Sequence, residues 1–329
     1  MNNLSTKENE NWCSYKIYQP EVKDKYIYNA KKINNNNWNH DASLAFYKGR
    51  WYAVWDSNPK EGEGNSGQSI VLSTSKNFVD WSEPIQPFND PRIKAKKNTS
   101  NVEDNNSDAE IYSENPVLPG RTQWQSNLII VEDELWCAWS NFQEPSYGDV
   151  MYVSRLSQPG DKWINNKILF DNNNIVHEGG SNYIEIRGRK YRPFPTQNPY
   201  ILDSGRVIFP VNLISNEKAE KTPEELSGMM ARYQRNTVIY TDDKGETFNI
   251  ALPGTTTSKD FVTFPWEPTV WQRPDGTVMM FTRNNDRRLV QDGGYPPWKR
   301  LLWAKSDDQG ETWSKLKPVP IETISSRMH

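Results

Sequence analysis

The sequence predicts an all-β protein, a β-propeller of four-stranded antiparallel blades. A hairpin unit recurs four times, a third strand and a turn follow each copy, and large aromatic residues are abundant. At 329 residues the chain exceeds the usual size of one compact domain. Repeat folds escape that limit because each unit buries its face on its neighbour.

The hairpins occupy residues 41–55, 125–139, 197–211 and 267–281. Each reads as a short apolar strand, a turn marked by Gly49, Asp133, Gly205 or Gly276, and a second apolar strand. That is the pattern of a β-hairpin. Third strands are expected at 68–73, 149–154, 236–241 and 300–306, with short fourth strands near Trp81, Trp163, Phe248 and Trp313. Near-continuous apolar strands suit inner blade positions, which are covered on both faces, and radial repetition of such units makes a propeller. The 14 Trp and 15 Tyr residues fill wedges between sheets, and some suit a face on which sugar rings stack. The expected organisation is an extension over 1–37, then a propeller domain over 38–329 with blades at about 38–90, 121–170, 194–254 and 264–318.

Charge and composition exclude several classes. Net charge is -3, with basic and acidic residues mixed, so no stripe suits nucleic acid or an anionic membrane. No apolar stretch reaches 18 residues, and the polar start lacks an apolar leader region. A cytoplasmic protein is expected, or a secreted or periplasmic one whose leader was removed. Two cysteines give no disulfide framework, and Cys137, inside the apolar run 135–139, reads as a buried thiol. The three histidines have no ligand spacing, so no metal or cofactor is expected. Residues 89–114 read as a polar insertion, 216–232 as a loop with a short helix, and 58–67 and 286–298 as Gly- and Pro-rich pocket walls.

Aligning the hairpins puts Asp41, Gln125, Gln197 and Glu267 at equivalent positions where the innermost strands open. Second strands return to the same rim, carrying Asp56, Asn141, Asn212 and Arg283, and His40, Asn127 and Asn198 join them. Carboxylates, amides and one arginine around an axial mouth suit a polyhydroxylated ligand with an acidic group.

The turns carry a family resemblance. Ser306, Asp308, Gly310, Thr312 and Trp313 match the Asp-box pattern Ser-x-Asp-x-Gly-x-Thr-Trp. Thr241, Asp243, Gly245, Thr247 and Phe248 form a second, slightly altered copy, and 73–81 and 154–163 look like decayed ones. Over residues 38–318 the chain resembles the sialidase (neuraminidase) superfamily of Asp-box (BNR) β-propellers. The resemblance implies six blades. Four are visible and residues 325–329 fall where another strand would begin, so a C-terminally incomplete propeller is expected.

The resemblance also implies an exo-acting glycoside hydrolase on an acidic sugar, with an oligosaccharide or polysaccharide as partner. Glu267-Pro268-Thr269, then Gly276, then Arg283 is similar to the sialidase segment bearing a glutamate and a carboxylate-binding arginine. By that likeness Glu267 activates a nucleophile and Arg283 clamps the substrate carboxylate. Asp56 or Asp41 would protonate the leaving oxygen, and His40, Gln125, Asn127, Gln197, Asn198 and Asn141 would bind substrate. Where sialidases open blade one with Arg-Ile-Pro, this chain reads Asn39-His40-Asp41-Ala42, and their tyrosine nucleophile lies near the C-terminal end of the fold. Two other readings stay open. One is a propeller lyase of uronic-acid glycans using His40, His177, Tyr183 or Tyr191 for proton transfer. The other is a non-catalytic glycan-binding module.

Overall fold

A computed structural model describes residues 26–28, 38–58, 63, 67–88, 113–114, 122–142, 150–172, 174–218, 232–251, 265–284 and 300–322. Every regular element among them is a strand. Four antiparallel sheets are arranged in a ring as the blades of a propeller, as the hairpin repeat predicts. No helix among the described residues is long and apolar enough to cross a membrane.

Blade one holds β1 (Trp38–Tyr47), β2 (Arg50–Asn58) and β3 (Ser69–Ser75). Its fourth strand is reduced to the isolated bridges Ser75↔Trp81 and Leu72↔Ile85. Blade two holds β4 (Ser113–Glu114), β5 (Thr122–Val131), β6 (Glu134–Phe142), β7 (Met151–Leu156), β8 (Trp163–Asp171) and β9 (Asn174–Val176). The short β4 pairs parallel with β8, so part of the expected polar insertion is strand; residues 89–112 lie outside the described ones.

Blade three holds β10 (Ile184–Ile186), β11 (Arg189–Pro195), β12 (Tyr200–Ile201), β13 (Val207–Lys218), β14 (Arg232–Thr241) and β15 (Asn249–Ile250). Its sheet begins at Ile184, ten residues before the expected boundary at 194. Both β11 and β12 pair with β13, so together they form one interrupted inner strand. Blade four is regular: β16 (Pro265–Gln272), β17 (Val278–Asn284), β18 (Arg300–Ser306) and β19 (Lys317–Glu322). The expected helix within 216–232 and most of both wall loops lie outside the described residues.

Successive sheets pack face to face through apolar residues that alternate along each strand. Tyr52, Val54 and Ile70 of blade one meet Leu128, Leu135, Trp139 and Tyr152 of blade two. Trp139 stacks between Phe88, at 4.7 Å, and Tyr152, at 4.4 Å. Trp136 and Val153 of blade two meet Phe209, Val211 and Ile239 of blade three. Ile208 and Val238 meet Val270, Met280 and Leu302 of blade four. Each large side chain buried this way contributes about 1.5–3 kcal/mol, so these wedges dominate stability. Cys137 sits in the first wedge as the expected buried thiol, and burial pushes its pKa far up. Ile27 and Tyr28 pack against Ala53, Trp55 and Val71 of blade one, Tyr28 lying 5.7 Å from the Trp55 ring.

The turns after β14 and β18 are built alike. Asp243 Oδ1 accepts from Thr247 N at 2.9 Å, and Thr241 Oγ1 accepts from Gly245 N at 2.9 Å. Asp308 Oδ1 accepts from Thr312 N at 2.9 Å, and Ser306 Oγ accepts from Gly310 N at 2.8 Å. Burial works to raise both carboxyl pKa values, but the hydrogen bonds from Thr247 and Thr241, and from Ser306 and Thr312, outweigh it and hold them low. A lowered folded-state value stabilises the turn above the ordinary carboxylate pKa and is lost as pH falls through the folded value.

These turns also latch blades together. Arg206 sends Nε to Asp242 Oδ1 at 2.7 Å in its own blade, and Nη2 to Glu311 Oε1 at 3.0 Å in the next. Gly245 at φ +80° lies so close to Trp136 of blade two that an added Cβ would stand 2.8 Å from the indole. Gly310 at φ +92° faces Ile208 of blade three in the same way, at 3.1 Å.

Replacing Gly245 with Ala is expected to cost about 2–4 kcal/mol, from left-handed strain plus the clash with Trp136. Gly276 at φ +87°, with open space around its Cβ, is the control, and Gly276→Ala should lose about half as much or less. Denaturant unfolding of both variants measures the difference. Unfolding midpoints followed from neutral pH to about pH 3 should fall less steeply for Asp308→Asn than for the parent chain, because the parent alone loses the carboxylate's contribution.

Candidate functional site

Three inner strands break register at one place. The irregularities fall between His40 and Ser43 in β1, Trp124 and Asn127 in β5, and Trp266 and Thr269 in β16. At each, one polar residue takes the left-handed region: Asp41 at φ 54°, Gln125 at φ 61° and Glu267 at φ 56°. In blade three the gap between Pro195 and Tyr200 holds Gln197 and Asn198 at the corresponding level. Three of the four positions aligned from sequence therefore share one structural feature, a β-bulge that re-aims a side chain at one end of the inner strand, and in blade three a break in the strand takes its place. A left-handed non-glycine residue costs about 1–2 kcal/mol, and three polar ones at one rim mark a strained, over-determined site.

The strain is held by clasps between blades. Asp56, directly across from His40 on β2, accepts the Gln125 backbone N–H at 3.0 Å through Oδ2. Asn212, across from Phe194 on β13, accepts the Glu267 backbone N–H at 2.8 Å through Oδ1. Both clasp residues are 0% exposed. Their register position is filled by Ser140 in blade two and by Arg283 in blade four. Arg283 does not clasp; its Nη1 donates to Glu267 Oε2 of its own blade at 3.0 Å. The pair is mostly buried, and Arg283 Nε has no hydrogen-bond partner among the described residues.

Asp41 belongs to the bulge of blade one. Its Oδ1 is 2.8 Å from His40 Nδ1, and its Oδ2 accepts from Gln125 Nε2. Asp41 is nearly buried while the His40 side chain is 49% exposed. Glu63 brings a carboxylate oxygen within 4.8 Å of both. Both Asp41 oxygens are engaged, one by an imidazole nitrogen and one by an amide, which makes a hydrogen-bonded chain from Gln125 to His40.

The remaining expected residues separate by role. Ser43 Oγ donates to Asn198 Oδ1 at 3.3 Å and accepts from Leu128 N at 3.0 Å, tying the inner strands of blades one, two and three together. Asn127 Nδ2 donates to Gln125 O at 2.7 Å, which shapes the bulge. Asn141 Oδ1 and Gln197 Nε2 are buried and have no hydrogen-bond partner among the described residues, as do Trp124 Nε1, Ser126 Oγ, Ser140 Oγ and Thr196 Oγ1. Such atoms cost about 1–3 kcal/mol each until a partner reaches them.

Three histidine and tyrosine candidates lie elsewhere. His177 Nε2 is 2.6 Å from Glu246 O, in the turn at the far end of β14 from the bulges. Tyr191 is buried at 1% exposure against the blade-two wedge. Tyr183 pairs with Lys190, 4.3 Å from its ring, and hydrogen bonds from Lys190 and Ser181 lower its pKa.

Sequence reasoning missed an aromatic layer immediately before the bulges. Trp124, Phe194 and Trp266 form one buried cluster with Ile214; the rings are 6.2 Å apart between Trp124 and Phe194 and 5.8 Å between Phe194 and Trp266. The signal was present as Trp124-Gln125 and Trp266-Glu267, an aromatic followed by the bulge residue.

Comparison with known proteins bears on the fold. No protein-family model and no curated relative matches the sequence. A Hadza microbial sialidase superposes with a TM-score of 0.55 at 14% identity, over 95% of this chain and 52% of its own. A protein of unknown function from Dyadobacter fermentans gives 0.53 at 16% identity, over 86% of this chain and 70% of its own. Trypanosoma rangeli sialidase gives 0.52 at 14% identity, over 84% of this chain and 37% of its own. That enzyme has also been solved with the inhibitor DANA and with sialic acid. The chain thus has a sialidase-like propeller fold and spans about half the length, or less, of the sialidases it resembles.

The clasp can be tested by exchange. Asp56→Asn keeps an acceptor oxygen, as Asn212 does in blade three, and should cost less than about 1 kcal/mol. Asp56→Ala leaves the Gln125 N–H buried without an acceptor and should cost about 2–3 kcal/mol in denaturant unfolding.

Proposed function

We propose that the protein is a glycoside hydrolase of sialidase type acting on an acidic, terminal sugar at the bulge rim. The observation that carries this reading is the buried Arg283–Glu267 pair, set where other blades place a clasp. A guanidinium fixed by one carboxylate and keeping further donors suits bidentate recognition of a second carboxylate, that of the substrate. The sialidase fold of the neighbours, one of them solved with sialic acid, supports the same substrate class.

Glu267 then polarises the attacking water. Asp41 supplies the acid side of the mouth, because Asp56 is fully buried on the Gln125 amide. Gln197, Asn141 and the Trp124 indole offer hydrogen bonds to hydroxyl or acyl groups, Gln125 lines the mouth while holding Asp41, and Asn127 and Asn198 hold the inner strands around them. The turns at 241–248 and 306–313 are Asp boxes, structural elements of the opposite rim. The propeller belongs to the six-blade type, of which the described residues supply four blades.

The test uses a panel of sialosides and uronate polysaccharides, reading both reducing-sugar release and absorbance of an unsaturated uronate. Release of sugar without unsaturation supports hydrolysis. Glu267→Gln should then lower kcat by about 10²-fold or more, and Arg283→Ala should raise KM by about 10–100-fold. Unsaturated product would assign a lyase, and retention of glycan without turnover a binding module. Wild-type turnover in both variants would overturn the assignment of these two residues.

A further inference from the structure

The acid side of the mouth contains more than a lone carboxylate. In one hydrogen-bonded chain, Gln125 Nε2 donates to Asp41 Oδ2, and Asp41 Oδ1 meets His40 Nδ1 at 2.8 Å. Gln125 is anchored through its backbone N–H to Asp56, and Asp41 is fixed by the left-handed bulge, so the carboxylate has little freedom. The Asp41 side chain is 5% exposed, which leaves it poorly placed to meet a substrate oxygen directly. His40 is 49% exposed and stands against the Trp38 ring at 5.2 Å. An imidazole whose Nδ1 is held by a buried carboxylate has its tautomer and ring orientation set, and proton exchange falls to Nε2.

We propose that His40 is the proton-transferring residue of the mouth and that Asp41 is its positioning residue. The proposal rests on the glycosidase reading above and deepens it. In the reaction, the C–O bond to the leaving group breaks and its electron pair goes to the leaving oxygen. That oxygen takes the proton from His40 Nε2. Water polarised by Glu267 forms the new bond to the anomeric carbon and gives up its proton to the Glu267 carboxylate. Proton exchange with solvent returns Glu267 to the carboxylate and His40 to the imidazolium, so the net reaction is hydrolysis. Asp41 stabilises the imidazolium, as a buried carboxylate does in a catalytic triad, without itself changing protonation state. Among the described residues, the titratable groups around His40 are Asp41 beside it, Glu63 from the loop after β2, and Asp56 across from it on β2. A carboxylate in contact with an imidazole nitrogen stabilises the charged ring that an acid requires.

The experiment compares His40→Ala, His40→Gln and Asp41→Asn with the parent chain on two N-acetylneuraminic acid glycosides. One has a 4-methylumbelliferyl leaving group, which departs without protonation; the other has an alkyl leaving group, which needs it. His40→Ala should lose about 10²–10³-fold in kcat on the alkyl glycoside and at least tenfold less on the aryl one. Added imidazole should restore part of the alkyl activity in His40→Ala but not in His40→Gln. Asp41→Asn should move the pH–rate limb that His40→Ala removes. Equal loss on both glycosides without imidazole rescue would overturn the proposal. So would loss of parent activity to a chelator with recovery on adding a divalent cation, because His40 would then be a metal ligand. If the parent turns over neither glycoside, the glycosidase reading fails by itself, and proton NMR decides the pair. A downfield imidazole N–H signal lost in both His40→Ala and Asp41→Asn supports the His40–Asp41 bond, and its absence from the parent overturns it.

Discussion

The structure depends on how a left-handed backbone amide is satisfied between blades. A bulge takes one residue out of the inner-strand ladder and leaves a buried N–H that needs an acceptor. In blades two and four that acceptor comes from the preceding blade, Asp56 for Gln125 and Asn212 for Glu267. One bond thereby fixes two quantities, the setting of one blade against the next and the direction of the bulge side chain. Without it the strain of a non-glycine φ near +60° would relax, and the polar residue would turn away from the axis.

The same register position then shows where this rule gives way. Ser140 is too short to repeat the clasp between blades two and three, and its Oγ has no hydrogen-bond partner among the described residues. The blade-three inner strand is broken into two pieces at that level instead of forming a compact bulge. Arg283 in blade four carries no acceptor at all and turns to Glu267. An acceptor exchanged for a guanidinium gives up an inter-blade bond, and the buried polar atoms around it add to the cost. Stability comes from elsewhere, from the stacked wedges around Trp139 and Trp136 and from Arg206 bridging the opposite rim. The two ends of the propeller thus divide the labour between rigid turns and a strained polar mouth.

Much of this was legible in the sequence because the repeats share a spacing. Asp41, Gln125, Gln197 and Glu267 align by counting from the hairpin turns, and counting works because strand length is fixed by blade height. The Asp-Gly turns were legible for a similar reason, since Thr241, Asp243 and Gly245 bond within five residues of one another. What stayed hidden depends on partners distant in sequence. Asp56 was read as an acid because spacing shows that it reaches the rim but not that it is buried on an amide 69 residues away. His177 was read as a candidate because its loop precedes blade three, and only tertiary structure carries it to Glu246. The left-handed backbone at Asp41, Gln125 and Glu267 left no glycine to announce it.

In the proposed function, the bulges converge on one ligand site at the rim opposite the Asp-Gly turns. A crystal structure with a planar, unsaturated acidic-sugar analogue of the DANA type measures this most directly. The ligand carboxylate should then lie on the Arg283 guanidinium, with ring substituents within hydrogen-bond distance of Glu267, Gln125 or Gln197. A ligand seated against the 241–248 and 306–313 turns, or a carboxylate bound by other cations while Arg283 stays on Glu267 alone, would contradict it.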